Sequence, residues 1–134
     1  QGFVDRDGVK IWYAVWGTKG PWIAFPPPIQ FVHTALFKAT VPYLAEHFRV
    51  ITSDNRGNGR SDRPRGQQHY HYDLYHGDFV AVLDAIGVER LALVGDAAHG
   101  IHPLNPLRKS SLTLTIRPAL QVVWPSIPIL PPCV

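Results

Sequence analysis

The sequence predicts an α/β fold in which a mainly parallel sheet follows an antiparallel N-terminal hairpin. Three observations carry this. Asp7-Gly8, a strong tight-turn signal, splits two short apolar runs. Three further short apolar runs fall at residues 22–25, 49–52 and 91–94. Between them lie two stretches with helical spacing, at residues 34–48 and 73–87. Strand, helix, strand, helix, strand is the signature of parallel strands joined by crossovers.

Each element follows from its residues. Val9, Ile11, Tyr13 and Val15 alternate with Lys10, Trp12, Ala14 and Trp16, so the second hairpin strand should bury one face. Trp22-Ile23-Ala24-Phe25 is apolar throughout, as a buried parallel strand requires, and Pro26-Pro27-Pro28 ends it. Leu36, Ala39, Tyr43, Leu44 and Phe48 give helical spacing interrupted by Pro42, which predicts a kink or two short helices. Asp73 is the expected N-cap of the next helix. Phe79, Val82, Leu83 and Ile86 form its apolar face, and Gly87 its left-handed stop.

The chain is one domain at most, with 134 residues and 46% hydrophobic content. The formal charge of +3 is small and the basic residues are scattered, so no nucleic-acid partner is expected. No apolar run is long enough for a transmembrane helix, and no leader is visible although the chain opens at Gln1. The single cysteine, Cys133, has no internal partner and no basic neighbour; it reads as inert, and a cytoplasmic location is expected. A half-covered sheet predicts possible self-association.

The stretch Ser53-Asp54-Asn55-Arg56-Gly57-Asn58-Gly59-Arg60-Ser61-Asp62 sits between a strand and a helix. Its paired glycines force a tight turn that charged neighbours can pin. It resembles the D-x-R-G-x-G-x-S loop after the fourth strand of the α/β-hydrolase superfamily. The resemblance covers about residues 2–95. It implies a partial α/β-hydrolase fold, with residues 1–100 as the N-terminal half of the core and 101–134 as a poorly specified tail. A complete core is about twice this length. The resemblance implies a small-molecule substrate and hydrolysis of an ester or related carbon–heteroatom bond. Asp54, Arg56, Gly57, Gly59, Ser61 and Asp62 read as bracing the loop rather than touching substrate.

The family's nucleophile elbow, G-x-S-x-G, here reads Gly95-Asp96-Ala97-Ala98-His99-Gly100. The nucleophile position is Ala97 counted from Gly95, or Ala98 counted back from Gly100. Alanine cannot attack a carbonyl. No Asp or Glu follows Asp96 to serve as the acid, and His102 lies too close in sequence to be its base. Only Ile29 or Gln30 could donate an oxyanion-hole N–H from the proline-rich loop, where His33 reads as an ordinary residue. The expectation is a truncated, degenerate hydrolase that is inactive as written. Seven of the 13 prolines follow Gly95, and the abrupt change suggests a reading-frame shift or truncation in the coding DNA.

Two alternatives belong to other classes. Gly95-Asp96-Ala97-Ala98-His99 with Pro103 resembles the G-D-A-A-H-x-x-x-P signature of flavoprotein aromatic hydroxylases, in which Asp96 would contact the ribityl chain of FAD. The G-x-G-x-x-G turn such enzymes need is absent. The other alternative is a non-catalytic binding module on a hydrolase scaffold. The primary reading needs no cofactor. His69, His71 and His76 read as a loop lead-in rather than metal ligands, and Trp12, Tyr13, Trp16 and Trp22 as packing.

Overall fold

In the computed structural model the placement of residues 1–26, 34–94 and 113–116 is described. Strands β1 (Gly2–Arg6) and β2 (Val9–Trp16) form the hairpin. Asp7 at φ 55° and Gly8 at φ 77° supply the two left-handed residues that a tight hairpin turn needs. β3 (Trp22–Phe25), β4 (Arg49–Ser53), β5 (Arg90–Leu93) and β6 (Thr113–Ile116) complete a six-stranded sheet of order β1-β2-β4-β3-β5-β6. β2 pairs antiparallel with β1 and β4, whereas β4, β3, β5 and β6 run parallel. The predicted parallel trio therefore stands side by side, in the order β4-β3-β5. Within the stretch expected to be poorly specified, β6 forms beside β5, with Leu91 opposite Leu114.

Helix α1 (Val41–Ala45) and helix α2 (Tyr72–Ile86) cover opposite faces. Alternate residues of β4 show this. Ile51 packs with Ala24, Leu91, Leu93 and the Phe79, Val82 and Leu83 face of α2. Its neighbour Val50 packs with Phe25 and Val41 on the α1 side. Val50, Ile51, Val82 and Leu83 are fully enclosed, which places the core on both sides of the central strands. Gly87 stops α2 in the left-handed conformation, at φ 75°.

Some expectations are corrected and one is met. Asp73 is not the N-cap of α2; His71 holds that position and Asp73 lies in the first turn, where its charge still favours the helix dipole. The segment after Thr34 divides into two short helices as expected, a 3₁₀ turn, Thr34–Phe37, and the single turn α1. Pro42 begins α1 rather than interrupting it, because the first turn needs no N–H from proline. Tyr43 faces solvent, and Val41 is the residue α1 buries. On β2, Trp12 and Ala14 are buried as well as Ile11, with Arg60 of the loop after β4 stacked over Trp12, while Trp16 stays 46% exposed rather than packing in a core.

Candidate functional site

In open α/β sheets, ligands bind beyond the carboxyl ends of the strands where neighbouring connections diverge. Here β3 connects towards β4 on one side, and β5 is followed by β6 on the other. The divergence lies between β3 and β5. The two strands are in register, Ala24 opposite Leu93, and the Val94 N–H donates to the Ala24 carbonyl at 3.0 Å. The chain beyond Phe25 and the chain beyond Val94 thus leave neighbouring strands at one edge. Ile29 and Gln30, Asp96, Ala97 and Ala98 lie outside the described residues, as do His33, His99 and Cys133.

The third wall of this edge is the loop after β4. Asp54, Asn55, Arg56 and Ser61 are all buried. The Asp54 carboxylate accepts three hydrogen bonds. Thr34 donates from its backbone N–H and its hydroxyl to Oδ1, each at 2.9 Å, and the Arg60 N–H donates to Oδ2 at 3.0 Å. Thr34 ends the segment that leaves β3, so Asp54 ties the exit of β3 to the exit of β4. Gly57 at φ 85° and Gly59 at φ 50° let the loop double back. A Cβ on Gly59 would overlap the Asp54 carboxylate, so this position excludes any side chain.

Doubling back lets residues 61 and 62 continue the pairing of β4 along β2. The Asp54 N–H donates to the Trp12 carbonyl at 3.0 Å, and the Asp62 N–H to the Lys10 carbonyl at 2.9 Å. Ser61 Oγ accepts from the Trp12 N–H at 2.9 Å and donates to the Asp54 carbonyl at 2.7 Å. Asp62 Oδ2 accepts from the Lys10 N–H at 2.8 Å.

Arg56 points away from the strand ends and into the protein. Its Nε and Nη2 donate to the two oxygens of Asp78 on α2, each at 2.7 Å, and Nη1 donates to the His69 carbonyl at 3.3 Å. Arg6 of β1 adds a bond from Nη1 to the same Asp78 at 3.1 Å. The hydrogen bonds to Asp78 hold the Arg56 guanidinium above its ordinary value, against the opposing effect of burial. Asp78 was not singled out in the sequence. The available signal was its place on the apolar stripe of α2, between Tyr75 and Val82, where a carboxylate requires a cation. Among the described residues no group of three or more His, Cys, Asp or Glu gathers to hold a metal, and no helix is long and apolar enough to cross a membrane.

A family model for the alpha/beta hydrolase fold matches residues 33–96. The bifunctional esterase/perhydrolase of Acinetobacter calcoaceticus is 29% identical over 136 residues, covering 90% of this chain and 46% of its own length. The 2-hydroxymuconate semialdehyde hydrolase of Pseudomonas sp. (strain CF600) is 39% identical over 66 residues, 49% of this chain and 23% of its own. Among solved structures, Est816, described as an N-acyl homoserine lactone degrading enzyme, superposes with a TM-score of 0.71 at 33% identity, over 84% of this chain and 42% of that one. The enol-lactonase of Burkholderia xenovorans LB400 gives a TM-score of 0.64 at 25% identity, over 74% and 38%. The chain spans less than half the length of each of these relatives.

Proposed function

Because the chain carries the α/β-hydrolase fold, we propose that it supplies the N-terminal half of a small-molecule hydrolase acting on esters or related carbon–heteroatom bonds, and that it turns none over by itself. The observation that supports this most directly is the parallel register of β3 and β5 beside a loop fully braced by Asp54. Such an edge presents the two segments that acyl transfer needs next to each other. One would carry the oxyanion donors, Ile29 or Gln30, and the other the attacking atom. In this sequence the attacking position is Ala97 or Ala98, and a methyl group forms no acyl-enzyme. The carboxylate that would orient a general-base histidine is also absent after Asp96. The chemistry requires no cofactor, and the single cysteine suits a cytoplasmic protein.

The test is p-nitrophenyl acetate with the chain as it stands and with Ala97→Cys and Ala98→Cys. We expect no turnover by the parent. One of the two variants should take up a single acetyl group, read by intact mass, faster than the Cys133 background, because a thiol attacks without a strong base. Catalytic turnover by the parent that survives Ala97→Gly and Ala98→Gly would place the chemistry elsewhere. Equal acetylation of parent and both variants would show that neither position is an elbow.

A further inference from the structure

A second recess lies one strand away from that edge, between β2, the end of β4 and the segment from Thr34 to Pro42. Its volume is about 490 Å³, within the size range of small-molecule sites. Its walls include two indoles, Trp12 and Trp16, with Val41 behind them. Trp16 is fixed by a hydrogen bond from its Nε1 to Thr52 Oγ1 at 3.0 Å, yet remains 46% exposed. A fixed, half-exposed indole beside a cavity offers a stacking face at little entropic cost.

Two cations and one carboxylate, Asp54, stand on the walls. Lys38 and Arg60 line the recess, and both are exposed. Arg60 stacks its guanidinium 4.9 Å from the centre of the Trp12 ring, and its Nη1 donates to Gln1 Oε1 at 3.2 Å. Asp54 also borders the recess, but both its oxygens are already occupied by Thr34 and the Arg60 N–H. The carboxylate therefore offers little to a ligand cation, while two cations offer donors to an anion.

We propose that this recess binds a planar aromatic monoanion, an aryl carboxylate, with its ring against Trp16 and its charge between Lys38 and Arg60. The site shares the loop after β4 with the acyl-transfer edge, but the proposal does not rest on the hydrolase reading.

Calorimetry of the full chain with 2-naphthoate, 2-naphthylmethanol and 2-naphthylmethylammonium tests this. Naphthoate should bind one to one and about ten-fold tighter than the alcohol, with the ammonium probe weakest. Lys38→Gln and Arg60→Gln should each weaken naphthoate about two- to five-fold, and Trp16→Ala about ten-fold, with circular dichroism unchanged. Trp22 and Arg49 form a comparable pair elsewhere, at 4.1 Å, and Arg49→Gln should leave the affinity unaltered. Absence of binding, equal affinity for acid and alcohol, or sensitivity to Arg49→Gln in place of Arg60→Gln would each overturn the proposal.

Discussion

Arg56 and Asp78 form a two-point pair with both bonds at 2.7 Å and side chains only 3% and 2% exposed. The pair joins the loop after β4 to the middle of α2. Removing one partner strands the other charge away from water, which costs about 3–5 kcal/mol. That is a large share of the ~5–15 kcal/mol available to a domain. Asp78→Ala and Arg56→Ala should each lower the unfolding free energy, read from urea titration, by this amount. Arg6→Ala removes the 3.1 Å bonds from Nη1 to Asp78 and to the Leu74 carbonyl, from a side chain that is 28% exposed, and should cost about 1 kcal/mol. Equal losses for Arg6 and Arg56 would refute the central role of the buried pair.

Gly59 gives a sharper test of the loop. An alanine there must adopt φ near 50° and push aside the Asp54 carboxylate. The backbone strain alone is about 1–2 kcal/mol, and the loss of Asp54's hydrogen bonds adds to it. Gly87 also has positive φ, but nothing lies within 4 Å of a Cβ there. Gly59→Ala should therefore lose at least about 2 kcal/mol in urea unfolding, and Gly87→Ala about 1 kcal/mol. A reversed order would mean that Asp54 does not hold the turn.

The elements that could be read from sequence were those whose cause is local. Asp7-Gly8 specifies its own turn, and Phe79, Val82, Leu83 and Ile86 specify a buried helix face by spacing alone. What escaped was set by residues distant in the chain. Trp12 and Ala14 alternate outward in the sequence yet are buried; Arg60 of the returning loop stacks over Trp12, and Ser61 lies 49 residues from the Trp12 N–H it satisfies. The Asp73 cap fails because α2 begins two residues earlier, a boundary that local propensity fixes poorly. The exit of β3 is likewise tied to Asp54 through Thr34, 20 residues away.

Tyr75 makes the fold sensitive to alkali. Burial, followed by the influence of Tyr70, raises its phenol above the usual 10.0. The unfolded chain then loses this proton first. Between about pH 10 and the higher folded value the native state binds more protons, so stability falls as pH rises. Urea midpoints measured from about pH 9 to about pH 11 should decline, and Tyr75→Phe should remove part of the slope. Parallel slopes for the two proteins would show that the phenol titrates normally.

Ser61 and Asp62 brace the same strand from neighbouring positions, and their environments set different costs. Ser61 Oγ satisfies both the Trp12 N–H and the Asp54 carbonyl at a site only 1% exposed. Ser61→Ala leaves two buried polar groups without partners, which costs about 2–3 kcal/mol. Asp62 serves the Lys10 N–H where water can replace it, so Asp62→Ala should cost at most about 1 kcal/mol. Hydrogen exchange separates the two without relying on global stability. The Trp12 amide should lose protection in Ser61→Ala and keep it in Asp62→Ala, whose effect should be confined to the Lys10 amide. Undiminished protection at Trp12 in Ser61→Ala would mean that its N–H has another acceptor, and that the loop folds over β2 without this hydroxyl.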